Sequence, residues 1–133
     1  QGILLPEAFY WDLNDQTREF SKRFRERTGQ YPNQFTGGIY SSVSHFLKAA
    51  EAAGTTEGDA VIAKMREIPI NDMMTENGRL REDGRVLRNI YLFQVKSPEE
   101  SSYDHDFYKL VATVPGEQAF KPLSESECEF IKN

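Results

Sequence analysis

The residues best suited to chemistry stand near the end of the chain. Asp104, His105 and Asp106 follow one another in a polar stretch, and Cys128 is the only cysteine. A cysteine nucleophile needs a base and an orienting carboxylate, and this set contains all three groups. The histidine, however, falls in a polar loop and no recognisable signature surrounds the cysteine. We therefore expect a solvated loop here and no enzyme activity.

Metal binding is the second chemistry to consider. His45 has no second histidine or cysteine at metal-binding spacing, which favours a partly buried helix residue. The carboxylates of Asp72, Glu76, Glu82 and Asp83 surround two glycine turns, but their spacing does not fit a calcium loop with alternating ligands and a final bidentate Glu. Ordinary turn chemistry accounts for them. We expect neither a metal nor a cofactor.

The balance of charge argues against a nucleic-acid partner. The chain has 16 basic and 21 acidic residues among 133, for a net charge of -5, whereas phosphate-backbone binding requires clustered positive charge. One predicted helix is basic, but Glu19 and Glu26 interrupt its run of Arg18, Lys22, Arg23, Arg25 and Arg27. A solvated helix face with pairs at the i, i+4 spacing is the better interpretation.

Three helices must position most of these residues. The first begins after capping residues at 12–15, carries Phe20 and Phe24 at the i, i+4 spacing, and ends at Gly29. The second is amphipathic and ends at Gly54, with an apolar stripe made of Ile39, Val43, Phe46, Leu47 and Ala50. The third follows Thr56 and Asp59, which resemble a capping box, and Pro69 stops it.

Strands are predicted on both sides of these helices. Residues 2–11 are a short apolar segment, 86–96 read as a strand that is apolar on both faces, and 107–114 form a further strand-like run. Asn77-Gly78 and Asp83-Gly84 mark turns. The apolar runs are too short for a membrane helix. The chain is short of the strands that its helices should cover, and the segment from Gln1 to Leu5 has neither an initiator Met nor a signal-type stretch. We therefore expect a piece of a longer chain.

An ordered series of short motifs resembles a known family. The series is Tyr10-Trp11-Asp12-Leu13-Asn14, Gly29-Gln30-Tyr31-Pro32, Tyr40-Ser41-Ser42, Ala52-Ala53-Gly54-Thr55, Asp83-Gly84-Arg85 and Gln94-Val95-Lys96. It is similar to the C-terminal third of type I periplasmic substrate-binding proteins of ABC importers, in the branched-chain amino-acid branch. The tail, with Pro122-Leu123-Ser124-Glu125-Ser126, resembles the extension of a subgroup with polar or aromatic organic ligands.

The resemblance implies an α/β fold, namely the C-terminal part of a two-lobed clamshell whose lobes are parallel sheets flanked by helices. Residues 1–15 would be the last strand of the second lobe and a hinge crossing. Residues 16–85 would be a helical part of the first lobe. Residues 86–133 would be the returning hinge strand and a tail on the second lobe, with most of both sheets lying upstream.

The implied function is capture of a small ligand between the lobes. The protein would be periplasmic and would deliver an amino acid or a small aromatic or organic carboxylate to the membrane subunits of an ABC importer. Phe35, five residues before Tyr40, matches the family's cleft-facing aromatic position, and packing under its own helix is the competing interpretation. Trp11 beside the hinge is expected mainly to anchor the crossing, with ligand contact as the alternative. A sensory or receptor domain with the same clamshell is the runner-up function.

The resemblance also leaves several assignments open. An upstream cysteine could bridge to Cys128, since the periplasm supports disulfides. The identity of the ligand rests mostly on upstream residues. Because an isolated segment would expose strand edges, we expect it to occur as a swapped dimer or beside a complementary N-terminal fragment.

Overall fold

The computed structural model describes residues 1–131 as two small sheets and a layer of helices. The strands are β1 Leu4–Glu7, β2 Arg79–Leu80, β3 Val86–Leu87, β4 Ile90–Val95 and β5 Tyr108–Val114. The helices are α1 Asp15–Thr28, α2 Gln34–Ala53, α3 Gly58–Glu67 and the short α4 Gly116–Ala119, and 3₁₀ turns follow at Leu123–Glu125 and Glu129–Ile131. The three helices predicted between residues 15 and 68 are confirmed.

The larger sheet joins the two ends of the chain. Its strand order is β1-β4-β5, and both pairings are antiparallel. Leu5 lies opposite Phe93, which is the most deeply buried residue of β4, and a bulge between Leu92 and Phe93 shifts the register toward β5. The parallel pairing expected of whole lobes does not occur within residues 1–131, where every strand pair is antiparallel.

The ends of α1 and α2 follow local capping rules. The Asn14 side chain accepts a hydrogen bond from Thr17 N, and the Thr17 hydroxyl accepts one from Asn14 N, which completes a capping box. Asn33 is the N-cap of α2 and has the same extended backbone conformation as Asn14. Gly29 and Gly54 end the two helices with φ of 74° and 66°, a left-handed conformation that favours glycine.

The start of α3 differs from the prediction. The carboxylate of Glu57, rather than the side chain of Thr56, accepts hydrogen bonds from the backbone of Asp59 and Ala60 at 3.1 and 2.9 Å. The predicted capping box of Thr56 and Asp59 was therefore wrong. The side chain of Glu57 is longer than that of Thr56 and lies next to the helix, so it reaches the unpaired N–H groups of the first turn that Thr56 was expected to bind.

The segment predicted as one strand over residues 86–96 is two strands in two sheets. β3 pairs with β2, and β4 pairs with β1 and β5. The chain changes partners at Arg88 and Asn89, which separate the two strands. A continuous apolar run gives no sign of such a change in the sequence, because each half of the run has the apolar pattern of a strand in its own sheet.

The apolar stripe of α2 does not face the core of this chain. The buried face of the helix is instead the small and polar series Gly37, Ser41, His45 and Ala49. Ile39, Val43, Phe46 and Leu47 are all exposed, Val43 by 53%. α2 therefore has one face packed on α3 and the 70–75 turn and a second, apolar face without a partner among the described residues.

A compact aromatic core connects β1 to the helices. Phe9, Phe20 and Met74 are buried together, and Trp11 and Phe24 pack around them. The rings of Phe9 and Phe20 meet edge to face with centroids 6.1 Å apart. This core fixes the segment after β1 against α1. Within residues 1–131, no helix combines the length and apolar character needed to cross a membrane.

Candidate functional site

An aromatic cleft forms where three distant segments meet. Residues 7–11 at the end of β1 and after it, residues 29–35 from the α1–α2 connection into the first turn of α2, and residues 105–108 up to the start of β5 surround a cavity of about 500 Å³. Its aromatic lining consists of Phe9, Tyr10, Trp11, Tyr31, Phe35, Phe107 and Tyr108. Both residues that the sequence singled out, Trp11 and Phe35, line this one cleft. A mostly apolar concavity with a few polar groups is typical of small-molecule sites.

Trp11 is fixed in the wall of the cleft. Its indole Nε1 donates to the carbonyl oxygen of His105 at 3.0 Å, and its ring lies 4.5 Å from that of Tyr31. The side chain is partly exposed. Trp11 thus presents an aromatic surface whose polar atom already has a partner.

Phe35 lines the same cleft from the first turn of α2. Asn33 caps this turn by accepting from Phe35 N at 3.1 Å, which fixes the backbone under the ring. The Phe35 side chain is 73% exposed, the largest exposure among the exposed large apolar residues. The competing interpretation, that Phe35 packs under its own helix, therefore has little support from the burial within this chain.

Arg25 supplies the one guanidinium group among the residues that line the cleft, and it lies against Tyr31. Arg25 Nη1 donates to the Tyr31 hydroxyl at 2.6 Å, and its guanidinium carbon lies 4.5 Å from the ring centroid. Both residues are on the α1–α2 side, and Arg25 itself is exposed. An aromatic ring next to a guanidinium is a combination that can hold an organic anion.

The loop before β5 completes the wall. His105 adopts a left-handed backbone with φ of 64°, and its carbonyl oxygen accepts from both Tyr10 Oη and Trp11 Nε1. The His105 ring is 4.3 Å from Tyr31 and 5.2 Å from Phe107. Its Nδ1 atom lies 2.8 Å from the Asp104 carboxylate, without hydrogen-bond geometry.

Two titratable groups of the cleft respond to burial. Desolvation raises the pKa of Glu7, which favours its neutral form. Burial also raises the pKa of Tyr10, against the opposing effect of the hydrogen bond it accepts from Phe107 N. Arg25 is the one guanidinium among the residues that line this cleft.

The residues considered for catalysis do not form one site. His105 contacts Tyr31 and Phe107, and Asp106 binds Lys96 Nζ at 2.5 Å. Cys128 is unpaired and lies in the tail, where its N–H donates to Ser126 Oγ. The structure thus places these three residues in separate groups of contacts.

The residues considered for metal binding have other partners. His45 is buried, with Nε2 2.8 Å from the Met65 carbonyl oxygen, so the tautomer that bonds carries its hydrogen on Nε2. Asp72 accepts from Ser41 Oγ and Met74 N, and Asp83 pairs with Arg81. Among residues 1–131, no group of three His, Cys, Asp or Glu side chains is arranged to hold an ion.

Sequence reasoning did not identify Tyr31, Arg25 and His105 as cleft residues. Tyr31 entered only as part of the motif Gly29-Gln30-Tyr31-Pro32, whereas Arg25 was expected on a solvated helix face and His105 in a solvated loop. Ring contacts such as Tyr31–His105 join residues more than seventy positions apart. The one local signal was the unusual density of aromatic residues at 9–11 and 103–108.

Comparisons with known proteins give a consistent picture. A family described as periplasmic binding protein matches residues 1–101. A comparison with curated protein sequences yields no match.

Several solved structures share the fold. A periplasmic binding protein from Burkholderia mallei is 38% identical with a TM-score of 0.95, and the match covers 99% of this chain. A branched-chain amino acid ABC transporter periplasmic ligand-binding protein from Burkholderia xenovorans is 42% identical over 99% of this chain with a TM-score of 0.94. A solute-binding protein of an ABC transporter from Rhodopseudomonas palustris, in complex with 3,4-dihydroxybenzoic acid, shares the fold at 19% identity and a TM-score of 0.73 over 86% of this chain.

The matched region is a minor part of each relative. The chain spans 35% of the length of both Burkholderia structures and 31% of the Rhodopseudomonas structure. The predicted α/β fold class, as part of a type I periplasmic binding protein, is confirmed by these matches. The chain therefore belongs to the periplasmic binding protein family, in the group of ABC transporter substrate-binding proteins that its motifs resemble.

Proposed function

We propose that this chain is part of a periplasmic solute-binding protein that captures a small organic ligand for an ABC importer and catalyses no reaction. The observation that carries the proposal is the aromatic cleft, in which three sequence-distant segments present ring surfaces and one guanidinium to a cavity of about 500 Å³. Membership of the family supports the transport role and the location.

The division of the chain between two lobes is also part of the proposal. Residues 1–15 and 86–131 belong to the second lobe and the hinge, and residues 16–85 belong to the first lobe; the last two residues of the predicted tail lie outside the described residues. The pairing of β1 with β4 and β5 in one sheet, apart from the helices, supports placing these three strands together. The pairing of β2 with β3 crosses the boundary at residues 85 and 86 and gives no support to it. The cleft then lies between first-lobe residues such as Tyr31 and Phe35 and second-lobe residues such as His105. Hinge closure would bury a ligand held there.

We assign the ligand to amino acids or small aromatic or organic carboxylates. Arg25 beside Tyr31 suits a carboxylate, and the surrounding rings suit an apolar or aromatic side group. The Burkholderia xenovorans relative is described as a branched-chain amino acid transporter component, which supports the first class. The Rhodopseudomonas neighbour holds 3,4-dihydroxybenzoic acid, which makes the second class worth testing.

In this proposal Phe35 contacts the ligand and Trp11 forms part of the cleft wall. The exposure of the Phe35 ring over the cleft supports a contact role. Trp11 is held by its hydrogen bond to His105 and by Tyr31, which supports a rigid platform. The membrane subunits of the importer and the remaining part of the binding protein are the proposed partners.

Isothermal titration calorimetry of the full-length protein that carries this chain tests the function. L-leucine and 3,4-dihydroxybenzoate represent the two ligand classes. We expect one of them to bind with one-to-one stoichiometry and a dissociation constant of about 1 μM or below, corresponding to about −8 kcal/mol. Failure of both probes to bind at about 1 mM would contradict the proposed ligand classes.

A further inference from the structure

The loop at residues 102–107, which we call the clasp, lies beyond the part of the chain that the family matches. The family match ends at residue 101, yet the clasp contributes His105 and Phe107 to the lining of the cleft. This part of the cleft wall is therefore built from residues outside the match of the family model, although the two Burkholderia structures match 99% of the chain. Its positioning needs a separate physical explanation.

The base of the clasp is fixed by a buried ion pair. Asp106 is 2% exposed, and its carboxylate accepts from Lys96 Nζ at 2.5 Å and from Ser102 N at 3.0 Å. The carbonyl oxygen of Asp106 accepts from Ser101 Oγ at 2.9 Å. These bonds attach both ends of the clasp to the end of β4. They do not attach its middle to the cleft.

The middle of the clasp is attached by bonds to the segment after β1. The His105 carbonyl accepts from Tyr10 and Trp11, as described above. The Tyr103 hydroxyl donates to the carboxylate of Asp12, which also accepts from Arg18 Nη1 at 3.0 Å. Arg18 belongs to α1, so this short chain of bonds connects the clasp to the helical layer. The Tyr103 ring also lies edge-on to Trp11, at 6.3 Å.

We propose that the clasp is a ligand-facing wall of the cleft and that Tyr103 is the positioning residue that holds it there through Asp12. The inference rests on the proposed function, because it assigns a role within that same ligand cleft. Tyr103 does not line the cleft itself. It acts through His105, whose ring covers Tyr31 only while the clasp lies against Trp11.

The attachment matters because the clasp is an irregular loop in which Tyr103, Asp104 and Phe107 are exposed. A loop without regular structure samples many conformations, and each bond to a fixed element reduces that freedom. Removing the Tyr103 hydroxyl removes one of the four hydrogen bonds that join the clasp to side chains of the segment after β1. The ligand would then have to order the clasp on binding, which lowers its affinity.

Three variants of the full-length protein test the proposal. Tyr103→Phe removes the hydroxyl and keeps the ring, whereas Asp12→Asn keeps an oxygen that accepts from Tyr103. Tyr40→Phe is the matched control, since Tyr40 is exposed on α2 outside the clasp. Hydrogen exchange of the ligand-free protein measures the attachment, and calorimetry with L-leucine and 3,4-dihydroxybenzoate measures its effect on binding.

We expect exchange at the Asp106 and Phe107 amides to rise about fivefold in Tyr103→Phe, the change that corresponds to one hydrogen bond of about 1 kcal/mol. The dissociation constant of the probe that binds should rise about three- to tenfold, with the melting temperature nearly unchanged. Asp12→Asn should retain slow exchange, and Tyr40→Phe should match the wild type in both measurements.

Unchanged exchange in Tyr103→Phe would overturn the positioning role, and faster exchange with unchanged affinity would overturn the role of the clasp as a ligand-facing wall. If the wild type binds neither probe, the ligand classes of the proposed function fail instead. The exchange measurement still decides the positioning role in that case, because it needs no ligand. The two failures are therefore distinguishable.

Discussion

Some side chains around the cleft are fixed by hydrogen bonds, and others are exposed without such bonds. The polar atoms of Tyr10 and Trp11 are committed to the His105 carbonyl, so their rings are held in place. Phe35 has no such constraint beyond its capped backbone, and its ring is open to the cleft. Rings that are fixed before binding lose little freedom on contact with a ligand.

Replacing Phe35 by alanine should weaken ligand binding while leaving the fold intact. We expect a rise of at least about tenfold in the dissociation constant, equivalent to about 1.4 kcal/mol. The melting temperature should change little because the ring is mostly exposed in this chain. Calorimetry and thermal unfolding of the full-length variant provide the two measurements.

Phe46→Ala is the matched control for that prediction. Phe46 lies on the same helix but outside the cleft lining, and it is also exposed within this chain. Its removal should leave the dissociation constant unchanged. Equal losses of affinity in both variants would show that Phe35 acts through the stability of α2 and not through ligand contact.

The buried pair of Asp106 and Lys96 predicts a pH dependence of stability. The hydrogen bond from Lys96 and that from Ser102 N hold the pKa of Asp106 below its ordinary value of 3.8. The unfolded chain therefore takes up a proton first as the pH falls. The stabilisation is present above pH 3.8 and is lost as the pH falls through the folded-state value.

Urea unfolding of wild type and Asp106→Asn at a series of pH values measures this effect. We expect the variant to be less stable at neutral pH, because it leaves Lys96 partly buried without a charged partner. The difference in unfolding free energy should shrink as the pH falls from 3.8 through the lower folded-state pKa of Asp106. A difference that stays constant down to the acid transition would rule out this source of stability.

At the scale of elements, the two glycines Gly116 and Gly58 give a matched pair of predictions. A Cβ on Gly116 would lie 2.7 Å from the backbone nitrogen of Arg88 and 2.9 Å from its carbonyl oxygen. Arg88 separates β3 from β4, so α4 packs directly on the point where the chain changes sheets. Gly116→Ala should lower the unfolding free energy by about 1–3 kcal/mol.

Gly58→Ala should have the opposite effect. Gly58 begins α3, and a Cβ there meets no atom of the described chain within 4 Å. Reduced freedom of the unfolded chain should stabilise this variant by about 0.5 kcal/mol. Chemical denaturation of both variants checks the pair. Equal effects of the two substitutions would contradict the close packing of α4 on Arg88.

The elements that the sequence predicted well are those determined by neighbouring residues. Asn14 with Thr17, Gly29 and Gly54 form local caps, and the limits of α1 and α2 follow from them. The split between β3 and β4 could not be predicted, because it depends on which distant strands pair with each half. The contact of His105 with Tyr31 likewise depends on the whole fold. Phe35 and Trp11 were identified because they stand beside motifs of the family.

At the scale of the whole molecule, α2 carries an apolar face larger than this chain can cover. Ile39, Val43 and Leu47 lie on that face and are each more than half exposed. The relatives are nearly three times as long as the matched region, so they contain further chain that could cover a corresponding face. Exposed apolar patches of this kind mark association surfaces.

The isolated 133-residue chain should therefore associate, either with a second copy or with the complementary part of the full-length protein. Light scattering after size-exclusion chromatography measures its mass. The double variant Val43→Asp with Leu47→Asp should reduce the association, because burial of those charges is costly. An isolated chain that is monomeric at about 100 μM, with no affinity for the complementary part, would contradict this expectation.

Native mass spectrometry tests the central claim, capture of a small organic ligand by the full-length protein. The protein is mixed with amino acids and aromatic carboxylates, each at about 1 mM, a concentration at which even a binding free energy of about −4 kcal/mol gives half occupancy. We predict a single adduct of one ligand per protein at that concentration, lost on denaturation. With the ligand lowered to about 1 μM, near the expected dissociation constant, we predict that occupancy falls from about one half in the wild type to about one tenth in Phe35→Ala. A spectrum without any adduct at about 1 mM ligand, or an occupancy at about 1 μM ligand that is the same in Phe35→Ala as in the wild type, would contradict the assignment of the aromatic cleft as the ligand site.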